Sequence, residues 1–141
     1  MKKGVPTMFA PHRSHASAYR QVNVQTGVDS ADPHRLVAML YDGAIDAISA
    51  ARGAMARGDI GAKANELSRA VRIVEEGLRG GLNTEAGGEI ASNLGNLYTY
   101  VTGRLMHANL RNDDAALREC LELLSPLRDA WKTIAPGQKA A

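Results

Sequence analysis

The chain has few of the residues that disulfide-rich or aromatic-core proteins need. It carries one cysteine, one tryptophan, one phenylalanine and four tyrosines. A lone cysteine cannot close an intramolecular disulfide, and Cys120 lies in a leucine-rich stretch, where burial as a small apolar side chain is expected. The core must therefore be built from aliphatic side chains, and that composition suits packed helices better than β-sandwiches.

The chain also lacks an excess of one charge and a long apolar run. Its 17 basic and 15 acidic residues alternate, and Lys2-Lys3 is the largest basic block. A nucleic-acid footprint is therefore not indicated. Pro6 and Pro11 interrupt the N-terminal segment, so neither a signal peptide nor a membrane span is supported. We expect a cytoplasmic protein that binds no nucleic acid and does not insert stably into membranes.

Motifs of catalysis and of metal binding are missing from the sequence. The candidate bases near neutral pH are the histidines His12, His15, His34 and His107, and we expect the last two to be solvated. No HExxH, Cys/His ligand set or Glu-x-x-His pair occurs. The glycine-rich stretch from Gly77 to Gly88 has no GKS or GKT and follows no strand. The sequence thus predicts a protein that is not an enzyme, with no cofactor and no metal site.

What the chain does have is helical periodicity. Its 141 residues have room for one domain. Residues 1–31 are rich in loop-type residues and are predicted to form a flexible arm, followed by a helical region at 32–137 and a disordered tail at 138–141. Four amphipathic segments with short links predict an all-α, antiparallel up-down four-helix bundle.

Capping residues set the expected helix boundaries. The first helix opens at Asp32-Pro33 and runs to about Arg57, and Gly58-Asp59 ends it and caps a second helix over about 60–79. The third helix is expected from near Gly87-Gly88 to about Leu110. Asn112-Asp113 caps the fourth, and Pro136-Gly137 closes it. Ser125-Pro126 predicts a kink or restart within that last helix, because proline lacks an N–H and clashes with the preceding turn.

Apolar residues at helical spacing define the expected core faces. These are Val37, Leu40, Tyr41, Ala44, Ile48, Ala51 and Met55; Ile60, Ala64, Leu67, Val71, Val74 and Leu78; Ile90, Leu94, Leu97, Tyr98, Val101, Leu105 and Ala108; and Leu117, Cys120, Leu121, Leu124, Leu127, Trp131 and Ile134. A further group lies outside these faces and makes a protein-binding surface plausible. That group comprises Met39, Ile45, Ile73, Tyr100, Met106 and Leu110.

Several ordered motifs resemble the flagellar secretion chaperone family, FliS. They are residues 32–37 and 39–44 (DPHRLV and MLYDGA), 87–91 with Asn93-Leu94 (GGEIA and NL), 97–100 (LYTY), 108–113 (ANLRND) and 129–132 (DAWK). The resemblance covers roughly residues 19–134. It departs from the family pattern in a longer N-terminal extension before Tyr19 and in Pro126, which interrupts a helix that the family usually builds as continuous.

The resemblance implies an export chaperone that binds the disordered C-terminal segment of flagellin in hydrophobic grooves and blocks its premature polymerisation. It further implies an arm, here around Tyr19 and Val22, that covers the groove when no client is bound. Delivery to the flagellar type III export gate is implied too, as is a link to an anti-sigma factor in some members. The residues we expect to line the groove are Leu36, Met39, Leu40, Ile45, Tyr98, Val101 and Leu105.

Other interpretations stay open at this point. Leu40, Tyr98, Val101 and Leu105 also lie on the predicted core faces, where packing is the simpler role. A helical adaptor or regulatory protein that binds another amphipathic segment is the alternative function. Homodimerisation through apolar patches or exchange of the arm is likewise open.

Overall fold

The computed structural model describes residues 32–134, which form an antiparallel four-helix bundle without a strand in that range. The helices are α1 (Pro33–Arg57), α2 (Ile60–Arg72), α3 (Thr84–Arg111) and α4 (Asp114–Thr133). A π-helical segment, Ile73–Arg79, continues α2. The all-α bundle is thereby confirmed. The predicted arm at 1–31 and the tail at 138–141 lie outside the described residues.

Short polar side chains begin the helices as the sequence predicts. The carboxylates of Asp32, Asp59 and Asp113 accept hydrogen bonds from backbone N–H groups in the first turns of α1, α2 and α4. Gly58 ends α1 with a left-handed φ of 75°, and Asn112 ends α3 with a φ of 53°. Because both links are so short, consecutive helices must run antiparallel.

The helices surround one aliphatic core. α1 packs against α2 and α4, and α3 packs against the same two neighbours, so α1 and α3 face each other diagonally. The hydroxyl groups of Tyr41 on α1 and Tyr98 on α3 share a buried hydrogen bond across this diagonal, with 2.5 Å between their oxygens. The largest fully buried side chains are Ile48, Leu67, Leu105, Leu117, Leu124, Val74, Val101 and Cys120.

Two predicted core residues are on the surface, at helix beginnings. Ile60 opens α2 and is 68% exposed, and Ile90 near the start of α3 is 56% exposed. α3 itself begins at Thr84 with Asn83 as its cap, earlier than the predicted Gly87-Gly88. Gly88 breaks the helical conformation there with φ 56° and ψ −130°. The expectation that Ile60 and Ile90 pack in the core is wrong because periodicity alone does not show where a helix passes beyond its neighbours.

The predicted restart at Ser125-Pro126 does not occur. α4 is one helix from Asp114 to Thr133 with Pro126 inside it. Pro126 is exposed, and so is Glu122, whose carbonyl lacks the usual partner four residues later. Water can hydrate a carbonyl at the surface, which lowers the cost of the missing hydrogen bond.

The π-helical segment departs from the regular helix that the sequence predicts. Its five-residue hydrogen bonding is visible where the Gly80 N–H donates to the Glu75 carbonyl at 3.0 Å. Ile73, Val74 and Leu78 are buried in this segment. Gly77 lies so close to α1 that a Cβ there would come within 2.9 Å of the Leu40 side chain. Because Gly77 has no side chain, the π-helical segment can pack tightly against α1 at this position.

The burial of Ile48 and the exposure of Ile60 predict opposite responses to the same change. Ile48→Ala should lower the free energy of unfolding by about 2–5 kcal/mol, because it leaves a cavity in a fully buried site. Ile60→Ala should change it by about 0.5 kcal/mol or less. Urea unfolding followed by circular dichroism measures both. Equal losses in the two variants would contradict the packing described here.

Candidate functional site

A groove runs between α2 and α3 and has a volume of about 440 Å³. It is lined by Leu67, Ser68, Val71, Arg72, Glu75 and Glu76 on one side and by Leu105, Met106 and Asn109 on the other. The floor is apolar, since Leu67 and Leu105 are buried. Polar and charged side chains border it.

The α3 side of the groove carries exposed apolar side chains. Met106 lines the groove and is 60% exposed, and Leu110, one turn further along α3 and outside the lining, is 79% exposed. Val71 lines the groove from α2 and is half-buried. Exposed apolar residues next to a groove are a feature of surfaces that bind an amphipathic helix. Methionine suits such a surface because its side chain adapts to different shapes.

Polar contacts between α2 and α3 lie beyond each end of this apolar floor. At one end Lys63 Nζ donates to the carbonyl of Asn109 at 3.0 Å and to Oδ1 of Asn112 at 2.5 Å. At the other end the Thr102 hydroxyl donates to Glu75 at 3.4 Å. The lining spans residues 67–76 on one side, about 13 Å at 1.5 Å per residue, and residues 105–109 on α3. The groove thus offers about two helical turns of contact on the first side and about one on α3.

The structure disperses the residues predicted to line a single groove. Leu105 lies on the floor of the α2–α3 groove, whereas Leu36 and Met39 are half-buried on α1. The other four predicted groove residues are in the core: Leu40, Ile45, Tyr98 and Val101 are 6%, 8%, 2% and 0% exposed. The predicted cap residues Tyr19 and Val22 lie outside the described residues.

Ile45 and Ile73 lie in the core, so the expectation that they lie outside the core faces is wrong. Each is only 8% exposed and belongs to the core cluster. Helix α1 packs against both α2 and α4, so its buried face is wider than the single stripe drawn from the sequence. Ile73 begins the π-helical segment, where the residues per turn differ from the 3.6 that the stripe assumes.

No local pattern predicts the pairing between the first turn of α1 and the last turn of α4. The rings of His34 and Trp131 stack with centroids 4.9 Å apart. The indole N–H donates to the His34 carbonyl at 2.8 Å, and His34 Nε2 donates to the Trp131 carbonyl at 2.9 Å. His34 is therefore a structural partner, which corrects the expectation that it is solvated. These residues are 97 positions apart, beyond the reach of a local pattern.

The described residues offer binding surface and little reactive chemistry. No group of three or more His, Cys, Asp and Glu side chains among residues 32–134 could hold a metal ion. In the same range, no helix is both long and apolar enough to cross a bilayer. Cys120 is fully buried, and burial raises the pKa of its thiol to about 12. A thiol in that environment is a poor nucleophile at neutral pH.

Comparisons with known proteins identify relatives over most of the chain. A family model described as "Flagellar protein FliS" matches residues 15–138. The flagellar secretion chaperone FliS of Salmonella typhimurium is 50% identical over 123 residues, which cover 87% of this chain and 91% of that protein. FliSB of Pseudomonas aeruginosa is 40% identical over 82% of this chain and 91% of that relative. FliS of Bacillus subtilis is 35% identical over 77% of this chain and 79% of its own length.

The hydrogen bond between Tyr41 and Tyr98 predicts that substitutions at the two positions have non-additive effects on the free energy of unfolding. Tyr98→Phe should lower the free energy of unfolding by about 1–3 kcal/mol, because it leaves the buried Tyr41 hydroxyl without its partner. The double variant Tyr41→Phe/Tyr98→Phe should lose less than the sum of the two single losses, since it leaves no unpaired hydroxyl. Urea denaturation of the four proteins measures this cycle. Strict additivity would show that the hydroxyls do not interact.

The same pair predicts a loss of stability in alkali. Burial raises the pKa of both Tyr41 and Tyr98 above the ordinary value near 10, and their proximity raises that of Tyr98 further. Ionisation therefore favours the unfolded chain, so stability is complete below pH 10 and falls as the pH rises above it. Unfolding midpoints between pH 8 and 11.5 test this sign. The Tyr41→Phe/Tyr98→Phe variant should show a shallower decline, and an equally steep one would assign the loss to other groups.

Proposed function

Since the chain belongs to the FliS family of flagellar secretion chaperones, we propose that it is a cytoplasmic, non-enzymatic export chaperone for flagellin. Its client is the disordered C-terminal segment of flagellin. Binding keeps that segment from polymerising too early and holds it ready for the flagellar type III export gate. An anti-sigma factor is a second candidate partner.

The α2–α3 groove is the observation that carries this proposal. It combines a buried apolar floor with exposed Met106 on its wall and exposed Leu110 one turn beyond the lining, and it runs for about two helical turns. A flexible client that folds into this groove as an amphipathic helix would bury apolar surface on both partners. That gain offsets part of the conformational entropy lost when the client becomes ordered.

A second contact on α1 is part of the proposal. Of the residues that the sequence predicted for the groove, Leu36 and Met39 keep exposed surface outside the α2–α3 groove. A long client segment reaches such a separate surface by wrapping around the bundle. The cap formed by Tyr19 and Val22 remains a proposal. A cap that is closed part of the time lowers the apparent affinity by the fraction of open molecules.

Calorimetric titration with a synthetic C-terminal segment of the same organism's flagellin tests the function. The wild-type protein should bind with a strongly negative heat-capacity change, since apolar surface is buried. The Met106→Asp/Leu110→Asp variant should bind at least about tenfold more weakly, because it places charges where the client's apolar face would lie. Both positions are exposed, so the variant should remain folded.

Ile90→Asp is the matched control for that experiment. Ile90 is likewise an exposed apolar residue of α3, but it lies near the start of that helix, away from the groove. It should leave the affinity nearly unchanged. Binding of the wild type that survives Met106→Asp/Leu110→Asp would place the client elsewhere. Absence of wild-type binding would reject the flagellin client and leave a helical adaptor for another amphipathic segment.

A further inference from the structure

Lys63 stands out because it is the one buried charged side chain among the described residues. It is 4% exposed. Burying an ammonium group is costly unless its hydrogen bonds are satisfied. The Lys63 ammonium group donates hydrogen bonds to the Asn109 carbonyl, in the last turn of α3, and to Asn112 Oδ1, in the turn that follows. It therefore joins two helices whose walls form the groove.

The acceptors of Lys63 are fixed by the chain around them. Asn112 ends α3 in the left-handed conformation, with φ 53°, and it is the only non-glycine residue with positive φ in the described part of the chain. The Asn109 carbonyl belongs to the last turn of α3, where helical carbonyls have no partner within the helix and the helix dipole favours a cation. Both acceptors thus suit an ammonium group at this place.

The same residues lie at the end of the groove. Leu67 follows Lys63 by one helical turn, and Val71 follows Leu67, so all three are on one face of α2. Asn109 lines the groove, and its backbone carbonyl is held by Lys63. The Lys63 contacts therefore tie the α2 side of the groove to its α3 side. Met106 is on that α3 side.

Building on the proposed function, we propose that Lys63 is a positioning residue that sets the spacing of α2 and α3 so that the groove is preformed for its amphipathic client. Asn112 is its side-chain partner. Lys63 itself is buried and does not touch the client. A preformed groove raises affinity because no binding free energy is spent on arranging the walls.

Two pairs of substitutions test this role. Lys63→Met keeps the length and volume of the side chain and removes its charge and its hydrogen bonds. Asn112→Gly keeps the left-handed turn, which glycine adopts without strain, and removes the Oδ1 acceptor. Asn112→Asp keeps the Oδ1 acceptor and should therefore keep the contact with Lys63. Lys132→Met is the control for the loss of a lysine, since Lys132 pairs with Asp42 on α1, away from the groove.

The client affinity is measured by titration with the C-terminal flagellin segment well below the unfolding temperature. Lys63→Met removes both hydrogen bonds and should weaken binding about tenfold, and Asn112→Gly, which removes one of them, should weaken it by up to the same factor. The double variant should be little worse than Lys63→Met, because that change already removes the contact with Asn112. Asn112→Asp and Lys132→Met should bind as the wild type does. A merely structural role would lower the unfolding midpoint without changing this affinity.

A distance measurement makes the test independent of the client. Nitroxide labels at Arg69→Cys on α2 and Gly103→Cys on α3 lie on exposed positions of the two helices. The native Cys120 is fully buried and should not be labelled. Lys63→Met and Asn112→Gly should give longer and broader distance distributions than the wild type in double electron–electron resonance.

The two readouts separate the failure of this inference from failure of the proposed function. Unchanged distances and unchanged affinity in Lys63→Met and Asn112→Gly would overturn the role of Lys63. If the wild type does not bind the flagellin segment, the flagellin proposal fails, and the distance distributions alone then decide whether Lys63 sets the spacing.

Discussion

The close packing of α1 is the constraint on which the rest of the bundle depends. Four of its alanines, Ala44, Ala47, Ala51 and Ala54, are at most 1% exposed. Such small side chains let neighbouring backbones approach, and α1 accordingly contacts both α2 and α4. Gly77 extends the same tight contact, because a Cβ there would meet Leu40. With α1 held between two neighbours, α3 must lie diagonally across the core, where the Tyr41–Tyr98 hydrogen bond joins it to α1.

This arrangement decides which apolar residues remain at the surface. Ile45 and Ile73 are buried in the core together with most residues of the predicted core faces. These two isoleucines therefore cannot form part of an exposed binding surface. Met106 and Leu110 are on a side of α3 that no helix within residues 32–134 covers, and Met106 borders the groove with α2. The candidate site is thus what the packing of four helices leaves open, with Leu67 and Leu105 as a floor that also belongs to the core.

Local signals explain what could be predicted from the sequence. Asp32, Asp59 and Asp113 act as caps within three residues of their partners, and the helices they begin follow the apolar period. Burial of Ile45 depends on the number of helices that surround α1, and exposure of Ile60 and Ile90 depends on where the neighbours end. The His34–Trp131 and Lys63–Asn109 contacts join residues 97 and 46 positions apart, so no local pattern contains them. The client groove expected from the sequence stays a prediction, and no local pattern indicates the α2–α3 groove, because its walls come from helices distant in sequence.

The buried lysine is hard to explain by stability alone. A methionine of similar volume could fill the same place without the desolvation penalty of an ammonium group, and buried ionic groups are often replaced by apolar ones at little cost. An apolar side chain makes no directional hydrogen bond, so it would not fix the end of α3 relative to α2. A client that is disordered before binding already spends free energy on its own ordering. The more of the groove that is fixed beforehand, the smaller the total cost of binding, and a directional contact at Lys63 would serve the proposed client in this way.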